Sequence, residues 1–315
     1  MINYSEFTFT SSDGKSQIHV NKWEPSEGEA RAIVQIAHGV AEYGKRYDRF
    51  ARFLASNGFL VVANDHLGHG ESLIEDSPMV YFGEKESWWY AVDDVEKLRE
   101  LMHKEYPKLP YYIFGHSMGS FITRSHLIRH GGKIDGAIIC GTGFLNSFII
   151  NGGKFVANIE IKRHGRKGYS DLADKMAFGG YNDAFKPNRT DFDWLSVNEE
   201  NVDEYIADPL CGGRTTLGLF RELLDGLTYT NSKKHIETMS KEQPILFIAG
   251  DQDPVGEMGK GVKKAYNEFK AAGIKDVQIK LYAGLRHEIL NEKEYQIVYD
   301  DVLKWLNEQV ERKSI

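Results

Sequence analysis

The stretch Tyr111-Tyr112-Ile113-Phe114-Gly115-His116-Ser117-Met118-Gly119 decides how this chain folds. Four apolar or aromatic residues make a short strand pattern, and a G-x-S-x-G sequence follows at 115–119. A helix-capable run, Phe121 to His130, comes directly afterwards. Strand, sharp turn and helix with a serine at the turn is the layout of a nucleophile elbow. The turn strains the backbone at Ser117, and glycines at 115 and 119 remove side chains that would clash there. In a chain with 31 glycines the five-residue pattern alone carries little weight; its flanking elements give it meaning.

Outward from the elbow the sequence alternates between strand and helix patterns. Glu6 to Ser11 and Gln17 to Trp23 flank the turn Ser12-Asp13-Gly14-Lys15 and predict an antiparallel hairpin. Ala32-Ile33-Val34-Gln35-Ile36-Ala37 and Phe59-Leu60-Val61-Val62-Ala63 are near-continuous apolar runs, as expected of strands covered on both faces. Between them Tyr47 to Ser56 is amphipathic at helical spacing and stops at Asn57-Gly58. A long helix is predicted from Ser87 to Glu105, with Trp88, Val92, Val95, Leu98, Leu101 and Met102 on one side, and Pro107 and Pro110 mark its end. Beyond the elbow come a strand (Ile134 to Cys140), a strand (Ile245 to Ala249), a helix (Gly261 to Ala271), a strand (Val277 to Tyr282) and a last helix (Glu294 to Glu311). This alternation predicts an α/β fold: a mostly parallel sheet with helices on both faces.

The rhythm breaks between Phe144 and Ser240, where short helices, glycine pairs and scattered aromatics replace the βα repeat. The expected organisation is a core of residues 1–143 and 241–315 carrying an inserted helical lid, residues 144–240. Insertions at the carboxyl edge of a parallel sheet sit where ligands bind.

Bulk properties narrow the function. At 315 residues, 41% hydrophobic and 27% charged, the chain can bury a large core without a metal or disulfide staple. A net charge of -7 argues against nucleic acid as a partner. Two cysteines, Cys140 and Cys211, are too few for a disulfide framework, and Cys140 in its apolar run predicts a buried thiol. Met1-Ile2-Asn3-Tyr4-Ser5-Glu6 has no charged segment followed by an apolar one, so no secretory signal and a cytoplasmic location are expected.

A serine hydroxyl needs a base, and the base needs an orienting acid. Behind an elbow serine these follow in the order Asp or Glu, then His. Past Ser117 and the two histidines of its own helix, His126 and His130, only His164, His235 and His287 remain. His164 and His235 fall in or beside the lid with no strand before them. His287 follows the Val277 to Tyr282 strand and is the expected base. In Gly250-Asp251-Gln252-Asp253-Pro254, Asp253 is the preferred acid, and Asp251 is expected to brace the turn. The expected oxyanion donors are the backbone N–H groups of Met118 and of Val40, the latter in the loop His38-Gly39-Val40-Ala41-Glu42-Tyr43-Gly44. Asp65, His66 and His69 invite a metal reading, but no distal ligand set completes a site. No metal and no cofactor are expected.

With these residues assembled, the chain resembles the serine α/β-hydrolase superfamily, and within it the monoacylglycerol lipase and lysophospholipase group. The resemblance rests on His38-Gly39-Val40-Ala41-Glu42 followed by Arg46-Tyr47, on Asp65-His66-Leu67-Gly68-His69-Gly70-Glu71-Ser72, and on Gly115 to Gly119. Asp208-Pro209-Leu210, Gly250 to Asp253 and Arg286-His287-Glu288 add to it. It implies an α/β-hydrolase fold, cofactor-free cleavage of monoacyl lipid esters, Ser117, Asp253 and His287 as triad, and transient membrane-surface contact through the lid. A short-chain carboxylesterase, a thioesterase or a prolyl-type aminopeptidase could use the same triad; the last would need acidic lid residues such as Glu199, Glu200, Asp203 and Glu204 to hold an ammonium. A catalytically silent binding protein is the alternative from another class. Phe148, Ile149, Phe155, Ile159, Met176, Phe178, Phe192 and Trp194 could line an acyl groove or only pack the lid, and Trp194 stays open between the two.

Overall fold

A computed structural model describes residues 2–313. Eight strands form one sheet in the order β1-β2-β4-β3-β5-β6-β7-β8. β1 (Ile2–Thr10) and β2 (Gln17–Pro25) are the antiparallel hairpin, and β2 runs antiparallel to β4 (Phe59–Asn64). From β4 onward the sheet is parallel, through β3 (Ala32–Ala37), β5 (Tyr111–His116), β6 (Gly136–Cys140), β7 (Ile245–Gly250) and β8 (Val277–Tyr282). Ile2 to Glu6 belong to β1, and Met1 lies outside the described residues.

The apolar runs at 32–37 and 59–63 lack alternation because both faces of their strands are buried. Ile33, Leu60 and Val62 face one layer; Val34, Ile36, Val61 and Ala63 face the other. The first layer holds α2 (Trp88–Glu105), α3 (Met118–Arg129) and α9 (Lys260–Ala271); the second holds α1 (Asp48–Ser56) and α10 (Tyr295–Lys313). Helix α3 is buried all round from Met118 to Ile128, as a helix directly behind a central strand must be. It begins at Met118, three residues earlier than Phe121, because Ser117 itself is its N-cap residue. On α2, Trp88, Val92, Val95, Leu98 and Met102 are buried as expected, while Leu101 turns toward solvent.

Between β6 and β7 the chain forms α4 (Ser147–His164), α5 (Asp171–Phe178), α6 (Glu199–Ala207), α7 (Leu217–Thr230) and the short α8 (Lys233–Ile236). Helix α7 is anchored in the first layer. Its Leu219, Phe220, Leu224 and Leu227 join that core, and buried Arg124 of α3 donates to Thr230 O at 3.1 Å and Asn231 Oδ1 at 2.9 Å. Among the described residues no carboxylate pairs with this arginine; burial pushes its pKa down to about 9, and the carbonyl end of α7 supplies the compensating dipole. Gly226 of α7 lies flat on Trp88, and a Cβ there would stand 2.3 Å from Trp88 Cε2. Gly226→Ala is therefore expected to cost roughly 1–3 kcal/mol of stability through overpacking, seen as a lowered midpoint in chemical denaturation with an unchanged slope.

Candidate active site

Ser117 has φ 52° and ψ -120°, a conformation L-residues rarely adopt and one that costs about 1–3 kcal/mol. The surroundings hold it there: Ser117 N donates to Cys140 O at 3.0 Å, and Ser117 O accepts from the N–H and the hydroxyl of Ser120. The flanking glycines have a different reason from positive φ. A Cβ on Gly119 would stand 2.0 Å from Ala37 O, and one on Gly115 would stand 2.3 Å from Thr123 Oγ1. The elbow is thus pressed against the end of β3 and against the first turns of its own helix.

Asp253 lies three residues past β7 and is fully buried, and His287 lies five residues past β8. His287 Nδ1 stands 3.0 Å from both carboxylate oxygens of Asp253. Asp251 accepts from Gly284 N at 2.8 Å, bracing the turn after β7 against the turn after β8. His164 instead lies beside Glu160 on α4, and His235 packs on Tyr229. Ser117, His287 and Val40 line one cavity of about 270 Å³ at the carboxyl edge of the sheet. Gly39 N donates to Glu42 Oε1 at 2.6 Å, which leaves the N–H of Val40 as the next donor along that loop. A Cβ on Gly39 would come within 3.2 Å of Ser117 Cβ, so the loop rests on the serine. Met118 is the first residue of α3, where the backbone N–H has no intrahelical partner and the helix dipole is positive.

Around this cavity lies a buried charge network whose partners are far apart in sequence. Arg46 forms a two-pronged pair with Glu288 at 2.8 and 3.1 Å and reaches Glu42 Oε2 at 2.8 Å. Glu42 Oε1 also accepts from Tyr47 at 2.9 Å and faces His116 Nδ1 at 3.3 Å. Burial opposes both carboxylates, but His116 and Arg46 beside Glu42, and Arg46 beside Glu288, hold them below the usual carboxylate range. Residues 193–201 are bolted to the same loop. Glu288 N donates to Leu195 O at 2.7 Å, Asn201 Nδ2 donates to Glu288 Oε2 at 2.8 Å, and Glu292 gathers Ser196, Val197 and Asn198. Trp194 lies against the His287 ring, centroids 5.2 Å apart, and also lines the cavity. It both packs and faces the site. Sequence reasoning singled out Glu42, Arg46 and Glu288 as parts of motifs without giving them a task.

Asp65 and its histidines brace a loop. Asp65 accepts from Gly44 N and Glu71 N, while His38 Nε2 accepts from His66 N at 2.8 Å. Among the described residues no group of three or more His, Cys, Asp and Glu side chains is placed to hold a metal ion. The His38, His66 and His69 rings are buried together, and burial lowers all three below the ordinary histidine pKa, His69 to about 3. A histidine with a depressed folded value binds its proton more readily in the unfolded chain. Its stabilisation is complete above about pH 6.5 and is lost as pH falls, by up to about 1.4 kcal/mol per histidine per pH unit. Urea midpoints are expected to drop between about pH 6.5 and 4, and a His69→Gln protein to show a shallower drop.

Of the lid aromatics, Phe178, Phe192 and Trp194 line the cavity. Phe148 and Phe155 are 86% and 68% exposed, and Ile149 and Met176 are also exposed, so these neither line the cavity nor pack the lid. Ile159 is half-buried. Glu199, Glu200, Asp203 and Glu204 of α6 are exposed and line no part of the cavity; Asp203 pairs with Arg189. Cys140 and Cys211 are both buried free thiols. No described helix is long and apolar enough to cross a membrane.

Known proteins give this geometry its context. The chain is 28% identical over 306 residues to the monoacylglycerol lipase of Mycolicibacterium smegmatis, covering 96% of each. It is 26% identical to the human monoglyceride lipase over 91% of this chain and 86% of that one. A thermostable carboxyl esterase from Bacillus coagulans, solved in complex with glycerol, superposes with a TM-score of 0.90 at 29% identity, covering 98% of this chain and 99% of that one. Residues 28–294 match the hydrolase family described as "Serine aminopeptidase, S33", and the chain belongs to that family of α/β-fold serine hydrolases.

Proposed function

We propose that the protein is a serine carboxylic ester hydrolase that cleaves monoacyl lipids of the monoacylglycerol type, with Ser117 as nucleophile, His287 as base and Asp253 as acid. The observation that carries this reading is the His287 Nδ1–Asp253 pair at 3.0 Å, beside the cavity onto which the strained Ser117 opens. With Nδ1 donating to Asp253, Nε2 is left to take the serine proton as Oγ attacks the ester carbonyl. The tetrahedral oxyanion is received by the Val40 and Met118 N–H groups, each such donor typically contributing about 3 kcal/mol. Collapse breaks the ester C–O bond and expels the alkoxide, which leaves as the alcohol by taking from His287 the proton that came from Ser117. Water, deprotonated by the same ring, then attacks the acyl-serine and releases the acid.

Several features favour an ester over a peptide. The acidic residues of α6, which could have held a substrate ammonium, face solvent, and of the two cap carboxylates that line the cavity, Asp174 and Asp191, the first is paired with Arg214. The relatives at 26–28% identity are lipases by name, and the Bacillus coagulans esterase was solved with glycerol. At about 270 Å³ the cavity is just below the roughly 300–1,000 Å³ of sites that enclose drug-sized ligands. It suits the ester, a small polyol and the first acyl carbons, and a longer chain runs out through the mouth. We assign residues 144–216 the role of a cap, with α7 serving as its footing on the core. Initial rates on a monoacylglycerol, p-nitrophenyl acetate and a proline anilide test the reading: the monoacylglycerol should give the highest kcat/KM, and a dominant anilide rate would replace it with an aminopeptidase.

A further inference from the structure

We infer that His116, the second residue of G-H-S-M-G, is held doubly protonated and acts as a positioning residue that ties the loop carrying Val40 to the backbone of His287. The inference rests on the serine-hydrolase reading for its consequence, but not for the protonation state itself.

The argument is one of donors and acceptors. His116 Nε2 faces the carbonyl oxygen of His287 at 3.3 Å, and a carbonyl can only accept. His116 Nδ1 faces the Tyr47 hydroxyl at 3.0 Å and Glu42 Oε1 at 3.3 Å. The Tyr47 hydroxyl also reaches Glu42 Oε1 at 2.9 Å and has one proton to give to one of these two neighbours, while the ionised carboxylate can only accept. A neutral ring with its proton on Nε2 would aim the Nδ1 lone pair at a carboxylate. A neutral ring with its proton on Nδ1 would aim the Nε2 lone pair at a carbonyl. The imidazolium gives Nε2, Nδ1 and Glu42 Oε1 each a partner of the right kind and leaves the Tyr47 proton for the carboxylate.

Charge balance leads to the same state. The groups facing His116 are Glu42 and Tyr47 from the loop and turn after β3, Arg46 behind Glu42, Glu288 and His287 from the loop after β8, and His38 nearby. Glu42 and Glu288 bring two negative charges and Arg46 one positive, so a charged His116 makes the set neutral. Burial works against the charged ring, but the bond to Glu42 and its charge outweigh it, and His116 is held above the ordinary histidine value. Tyr47 stays a neutral hydroxyl, its pKa pushed well up by burial and by Glu42.

The consequence lies in what the ring connects. Glu42 fixes Gly39 N, one residue before Val40. His116 grips Glu42 on one side and the His287 carbonyl on the other, and its ring lies 4.7 Å from the His287 ring. The sign follows: the link is complete below the ordinary histidine pKa and is lost as pH rises through the raised folded value.

Nitrogen-15 NMR of the histidine-labelled, full-length protein tests this, with the His116 signals identified by their loss in H116Q. At about pH 6.5, where an ordinary histidine is half protonated, both His116 ring nitrogens should be predominantly protonated. In E42Q the ring should revert to one protonated and one bare nitrogen. A single-tautomer His116 in the wild type at that pH overturns the inference. Kinetics give the second arm: H116Q should lose about tenfold in kcat, the worth of one charge-assisted bond, and the alkaline fall in kcat/KM should vanish. An H116Q profile parallel to that of the wild type would contradict the positioning role. Fluorophosphonate labelling run alongside keeps the two readings apart, because a protein that fails to label overturns the hydrolase assignment and leaves the NMR result standing.

Discussion

Ser117→Ala is expected to lower kcat on a monoacyl ester by about a millionfold while leaving the fold intact. The size of the effect comes from what one oxygen does. In the proposed mechanism it forms the bond to the acyl carbon, and among the described residues lining the cavity it is Ser117 that stands on a strained elbow beside both a histidine and a free helix N-terminus. A residual rate of about 10³–10⁴ over water should survive from binding and from the backbone donors. Stability should change little or rise slightly, because the conformation at 117 belongs to the backbone and the elbow is held by Ser117 N and O. Equal denaturation midpoints with a collapsed kcat is the outcome to look for. A mutant keeping more than a few per cent of wild-type turnover would mean that another group forms the covalent bond.

Asp253→Asn should cost about 10⁴ in kcat with a much smaller change in KM. Both carboxylate oxygens stand 3.0 Å from His287 Nδ1, and Oδ1 also accepts from Val255 N at 2.9 Å. An asparagine of the same shape keeps the backbone bond by leaving its oxygen toward Val255 and turning its amide N–H₂ toward the ring. That amide donates where the carboxylate accepted, so the favoured imidazole carries its proton on Nε2, and Nε2 then cannot take the proton of Ser117. The neighbouring carboxylate provides the control. Asp251 accepts from the Gly284 N–H at 2.8 Å and from Gln252 Nε2 at 3.2 Å, bonds that brace the turn, so Asp251→Asn should leave kcat within a few-fold of wild type. If the two substitutions gave equal losses, the choice of Asp253 as the acid would be wrong.

How far the sequence carried this account depends on the range of each interaction. Apart from β1, which begins four residues before Glu6, the strands came out within two residues of their runs, since an unbroken apolar stretch such as Ile245 to Ala249 is dictated by burial on both faces. Ser117, Asp253 and His287 were legible as candidates because they lie one, three and five residues past β5, β7 and β8, so chain order aims them at one edge of the sheet. The Arg46–Glu288 pair, 242 residues apart, was not, since nothing local to either residue announces the other. The same holds for Trp194, whose place against His287 is fixed by hydrogen bonds that bring residues 193–198 onto the loop at 286–292. Local pattern also mislaid Leu101, which falls on the apolar side by spacing yet lies at the margin of the buried stripe. Helix α7 shows the same limit in another form: it falls within the stretch that lacks the βα repeat, and its buried leucines, Gly226 against Trp88 and Arg124 at its end show that it stands on the core.

A rapid acid quench during turnover of a monoacylglycerol, followed by peptide mass mapping, tests the core of the account most directly. It should find the substrate's acyl group esterified to the peptide containing Ser117, with its amount rising as deacylation is slowed. Acyl mass on any other residue, or turnover with no covalent adduct at any quench time, would contradict it.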